Sequence, residues 1–169
     1  MCVPHPSLRG GLAMTTPFTL RPAALTDVPT LAAFQCAMAQ ETEDHALDEA
    51  TVTAGIQGLL THPDRGRVWV AVDENDAPVG TASVTFEWSD WRNGTFWWLQ
   101  SVYVLPVWRQ RGVFSALYAT LREGALADPT GIGLRLYVER DNARAQRTYA
   151  ALGMRETDYR LFEEEFPKP

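Results

Sequence analysis

The segment Val102-Tyr103-Val104-Leu105-Pro106-Val107-Trp108-Arg109-Gln110-Arg111-Gly112-Val113-Phe114-Ser115-Ala116-Leu117-Tyr118 restricts the fold more than any other stretch of the chain. It opens as a buried strand, leaves it at Pro106, runs through a basic loop to Gly112 and then takes up helical spacing. A strand that feeds through such a loop into a helix makes an anion site. The first helical amides have no intrahelical acceptor, and the aligned peptide dipoles leave positive charge at that end. Arg109 and Arg111 add full charges, and Gly112 has no side chain to hold a phosphate off the backbone. The segment therefore reads as a seat for the phosphates of a small cofactor.

Composition narrows the setting. A chain of 169 residues builds one domain and buries a core without disulfides or a structural metal. Its net charge of −6 argues against wrapping nucleic acid, which needs a basic face, and makes the paired arginines of the loop a local device. Residues 1–16 lack the apolar core of a secretory signal and read as a flexible leader to a single domain at 17–169. No stretch has the apolar length of a membrane span. Cys2 and Cys36 show no metal-ligand spacing, and His5, His45 and His62 are too scattered for a metal site. A reduced, cytoplasmic setting is the simplest reading.

Taken in order, Phe18–Arg21 is a short strand, and Thr26 or Asp27 caps a helix that carries Pro29 in its first turn and ends near Gln40. Glu41–His45 forms a charged break. A second helix runs from Asp48 to about Leu60, stopped by His62-Pro63. An antiparallel meander follows: Val68–Val72, Val79–Phe86, a connector from Glu87 to Gly94, and a long strand Thr95–Val104. After the loop come a helix from Val113 to about Leu126, a strand at Leu134–Val138, a short helix capped by Asn142, and a last strand near 158–165. Gly153 suits the left-handed position that closes the short helix. This is an α+β pattern.

Arg109-Gln110-Arg111-Gly112-Val113-Phe114, after a strand of the form hydrophobic-x-Val-x-Pro, resembles the acetyl-CoA loop of the GCN5-related N-acetyltransferase (GNAT) family, Gln/Arg-x-x-Gly-x-Gly/Ala. Phe114 stands where that family usually has a small residue. Downstream, Asn142-Ala143-Arg144-Ala145 and Tyr149-Ala150-Ala151-Leu152-Gly153-Met154 are similar to its Asn-x-x-Ala…Tyr-x-x-x-Gly-Phe segment, with Met154 for Phe. The two matches fall in the right order, with a helix and a strand between them. The resemblance implies a GNAT-like fold: a central mixed, mostly antiparallel sheet of six to seven strands flanked by about four helices.

It also implies an activity, transfer of the acetyl group of acetyl-CoA to a primary amine by direct attack through a tetrahedral intermediate, with no metal. Main-chain groups of Val102, Tyr103 and Val104 would meet the pantetheine arm. Arg109, Gln110, Arg111, Gly112, Val113, Phe114 and Ser115 would hold the diphosphate, with Asn142 as a further contact. Tyr149 would protonate the departing thiolate, a role that a phenol with an ordinary pKa of about 10 can fill at neutral pH. The base position varies in the family; Glu41, Glu43, His45 and Glu87 are the candidates here. Trp88 and Trp91, beside Glu87 and Asp90, offer aromatic faces to a cationic amine acceptor, a small molecule or a peptide. A homodimer is open to the chain through the sheet edge. The competing reading is a CoA-binding sensor or assembly domain with the same fold and no catalysis.

Overall fold

The meander forms because three β-rich runs are separated by turn residues, and it fixes the centre of the molecule. The structure, a computed structural model, describes residues 18–166. They fall in two compact units that divide after Leu136. The flexible leader expected at 1–16 lies outside the described residues.

The first unit holds a five-stranded sheet in the order β1-β2-β3-β4-β5, with β1 Thr19–Pro22, β2 Gly66–Val72, β3 Pro78–Ser89, β4 Gly94–Val104 and β5 Gly131–Leu136. The first four strands pair antiparallel, and β5 runs parallel to β4. Helix α1 (Val28–Glu43), helix α2 (Glu49–Thr61) and helix α3 (Val113–Ala127) complete it. Asp48 accepts the Thr51 amide at 2.8 Å and so caps α2, while Asp44 ends α1 in the left-handed region at φ 49°. The helix that was expected to stop near Gln40 thus runs one turn further, through Glu41 and Glu43.

The two faces of the sheet carry different cores. On one, Val28, Leu31, Phe34 and Ile56 of α1 and α2 pack on Val68, Val70 and Val72 of β2 and on Tyr103 of β4. On the other, Val113, Leu117, Leu121 and Ala125 form the buried stripe of α3. Trp97 is wholly buried there, and α3 crosses it at Gly124, where a Cβ would lie 3.1 Å from the indole ring. Burial of such side chains is the main favourable term for both layers.

The strand β3 reaches Ser89, so Glu87 and Trp88 belong to the sheet and not to a connector. The turn is the four residues 90–93, with Asn93 left-handed at φ 47°. In the second unit, Asn142 accepts the Ala145 amide at 3.0 Å and caps helix α4 (Ala143–Ala151). Gly153, at φ 88°, closes it, and the Met154 amide returns to the Tyr149 carbonyl at 3.1 Å. The sixth strand expected near 158–165 is irregular, which brings the described sheet to five strands instead of six to seven. Consecutive glutamates Glu163, Glu164 and Glu165 would put like charges on both faces of such a strand, where its alternation already breaks at Leu161-Phe162.

Candidate active site

The centre of β4 is bent by one extra residue. Val84 faces Leu99 and Ser83 faces Ser101, so Gln100 is a bulge. The pairing with β5 ends at the same place, at Leu99 opposite Leu136, and Gln100–Val104 have no partner in β5. The Leu105 amide donates to the Val79 carbonyl at 3.0 Å. Alternation along the strand then turns the main-chain groups of Val102 and Val104 to the edge that β5 has left, and those of Tyr103 toward β3. A strand edge freed in mid-strand is a place for an extended ligand to pair with main chain.

The loop after β4 has the anion-seat geometry. Gln110 and Gly112 both lie in the left-handed region, at φ 63° and 82°. Gly112 is the N-cap of α3, and no side chain caps that helix end. Its amides, at Val113, Phe114 and Ser115, open the helix at the positive end of the peptide dipoles. A Cβ on Gly112 would meet no protein atom within 4 Å, so the space above this residue is open. Nitrogen donors, a helix terminus and room beside a glycine suit a diphosphate.

The two arginines of the loop are not equivalent. Arg111 is exposed, its guanidinium 5.3 Å from the Trp108 ring centroid. Arg109 turns back into the fold. Its Nε donates to the Val104 carbonyl at 2.9 Å, and a terminal nitrogen donates to Glu41 Oε2 at 2.6 Å. The Tyr103 hydroxyl donates to the other Glu41 oxygen at 3.0 Å, and the guanidinium lies 5.5 Å from the Tyr103 ring. Arg109, and after it Tyr103, hold the Glu41 carboxyl below the usual carboxylate range. Burial, then Glu41, push the Tyr103 phenol up.

Glu87 is similarly engaged. It accepts from Arg135 at 2.6 Å and from the Trp98 indole nitrogen. The Arg135 guanidinium stacks 3.7 Å from the centre of the Phe96 ring. Phe86 meets Trp97 on the α3 face, with ring centroids 5.2 Å apart, so Trp88 shares that face and Glu87 points to the other. The expected grouping of Glu87 with Trp88 is therefore divided by the sheet. Trp91, 83% exposed, sits in the turn, and Glu43 is exposed at the last position of α1. His45 lies just beyond α1, also exposed. In the second unit Tyr149 lies half-buried on α4, and burial raises its phenol above the ordinary value.

Two partners escaped the sequence. Tyr103 and Arg109 lie 62 and 68 positions from Glu41, a separation that no local pattern spans. Arg135 left a trace, a charge between Leu134 and Leu136 in a strand, which is a cation in need of a counter-ion.

A mixed sheet whose bulged fourth strand parts from a parallel fifth, and then enters a helix through a left-handed glycine, defines a class of α+β proteins. The acetyltransferase (GNAT) family profile matches residues 30–154, and the chain belongs to that family. It is similar to a possible acetyltransferase from Clostridium difficile 630, with 38% identity and a TM-score of 0.83 over 89% of this chain and 99% of that one. An integron cassette protein from the mobile metagenome of Cole Harbour Salt Marsh shares 24% identity at a TM-score of 0.76, over 89% and 91%. Aminoglycoside N-acetyltransferase AAC(6')-Iy, solved in complex with CoA, shares 18% at 0.73, over 88% and 94%. These last two share the fold. No curated protein matches the sequence.

Proposed function

We propose that this chain transfers the acetyl group of acetyl-CoA to a primary amine. The observation that carries the reading is the left-handed Gly112 at the start of α3, directly after a β4 edge left unpaired beyond its bulge. The likeness to an aminoglycoside acetyltransferase solved with CoA supports both the donor and an amine acceptor.

The amides of Gln110–Ser115 and the Arg111 guanidinium take the diphosphate, and Val102 and the Val104 amide pair with the pantetheine arm. A β4 amide beside the bulge also donates to the thioester oxygen as charge grows on it, a contact worth roughly 3 kcal/mol at the transition state. Tyr149 donates its proton to the departing thiolate. Its raised pKa keeps it protonated at neutral pH. Asn142 caps α4 and supports that helix, with a pantetheine contact as its second role. The carboxylates of Glu41 and Glu87 are already held by arginines. The amine therefore loses its proton to solvent, with the exposed Glu43 and His45 as the remaining candidates of the set. Trp91, exposed in the turn, offers an aromatic face to a cationic acceptor. The proposed setting is reduced and cytoplasmic, as the sparse cysteine usage of the sequence suggests.

The rival, a sensor that binds CoA without turnover, keeps the loop and loses the chemistry. Release of free CoA thiol, assayed with acetyl-CoA over a panel of primary amines, separates the two. Saturable release with any amine supports transfer, and binding with no release across the panel assigns the sensor.

A further inference from the structure

We infer that Glu41 and Arg109 form a latch that shapes the diphosphate loop from the end of α1, so that Glu41 is a positioning residue and not the base. Arg109 makes three contacts at once: its Nε on the Val104 carbonyl at 2.9 Å, a terminal nitrogen on Glu41 at 2.6 Å, and its guanidinium carbon 5.5 Å from the Tyr103 ring centroid. Tyr103 is fixed in turn. It is 7% exposed, its ring lies 5.1 Å from that of Phe34 on α1, and its hydroxyl donates to Glu41 at 3.0 Å. Helix α1, the end of β4 and the first residue of the loop are thereby tied through one carboxylate.

The tie has a use. One residue after Arg109, Gln110 takes a left-handed φ of 63°, a conformation that a non-glycine residue adopts at a cost. Arg109 anchored at both its Nε and its terminus pins the chain immediately before that residue, so the loop is held in shape by the protein's own side chains. A guanidinium already paired with a carboxylate is also a weak competitor for phosphate. Arg109 acts on the diphosphate through the loop, while Arg111, free of carboxylate contacts among the described residues, acts directly.

The binding readout rests on the acetyl-CoA reading; the folding readout does not. Glu41→Gln, Arg109→Gln and the double variant are compared for CoA affinity by calorimetry, for turnover, and for thermal unfolding. Each single change is expected to weaken CoA binding about two- to fivefold, the scale of a partly exposed ion pair, with kcat within about twofold. The double variant is expected to be no weaker than the poorer single one, because both changes break the same tie. Tighter CoA binding by Glu41→Gln would overturn the latch, since it would show Glu41 competing with phosphate for Arg109. An unchanged affinity with a large loss of kcat would overturn it in favour of a base. Fully additive losses would also overturn it. If the wild-type chain binds no CoA, the acetyl-CoA reading falls, and the unfolding cycle still decides: non-additive midpoints support the tie, additive ones refute it.

Discussion

At the scale of single residues, Gly112 and Tyr149 separate binding from chemistry. Gly112 sits at φ 82° with open space where its Cβ would be. Valine there suffers from the backbone conformation, at roughly 1–3 kcal/mol of stability, and not from a clash with protein. Its branches would fill the room left for phosphate. Gly112→Val is expected to lower the thermal midpoint modestly and to weaken CoA binding more than tenfold by calorimetry; an unchanged affinity would remove the loop from the account. Tyr149→Phe removes the hydroxyl and keeps the ring. It is expected to lower kcat on the order of a hundredfold while CoA affinity stays within twofold. Full turnover by that variant would refute the acid role.

At the scale of elements, the start of α1 shows how a short motif becomes a structural joint. Asp27 precedes α1 and was legible as a cap, but its carboxylate instead accepts the Ala24 amide at 2.7 Å and a two-pronged contact from Arg21 at 2.7 and 3.0 Å. Arg21 reaches on to Asp76 at 2.8 Å and so joins β1, α1 and the β2–β3 turn. Its hydrogen bonds hold the Asp27 carboxyl below its ordinary value. A depressed folded pKa means that this stability is complete above the unfolded value, near pH 4, and is lost as pH falls through the folded one. Asp27→Asn is expected to cost roughly 1–2 kcal/mol at neutral pH and to flatten that acid limb, measured by urea unfolding from pH 2 to pH 7. An acid limb that is unchanged in the variant would remove Asp27 from the joint. Helices, meander and loop could be read because each is written in local spacing: Asn142 at its cap, Gly153 at a left-handed position, Gly112 between a basic loop and a helix. What could not be read was pairing at a distance. The extra length of β3, which turns Trp88 away from Glu87, and the arginines that neutralise Glu41 and Glu87 come from residues brought together only by the folded sheet.

At the scale of the whole molecule, charge and proton traffic make the acceptor's own chemistry visible in the rate. A net charge of −6 favours approach of cationic amines over anionic ones, yet an ammonium group cannot attack a thioester. On the proposed transfer, with Glu41 tied to Arg109 and Glu87 to Arg135, deprotonation is assigned to solvent, and the rate is expected to follow the fraction of acceptor present as free amine. The logarithm of kcat/KM is then expected to rise with unit slope as pH increases and to level off at the pKa of the amine in solution. Two acceptors that differ by about 2 units in that pKa, run from pH 6 to pH 10, make the test. The reading requires the bend to move with the acceptor. A bend fixed at one pH for both amines would mean that a group of the enzyme takes the proton. Repeating the profiles with Glu41→Gln, Glu43→Gln, His45→Gln and Glu87→Gln would then identify which group it is, by the variant that removes the bend.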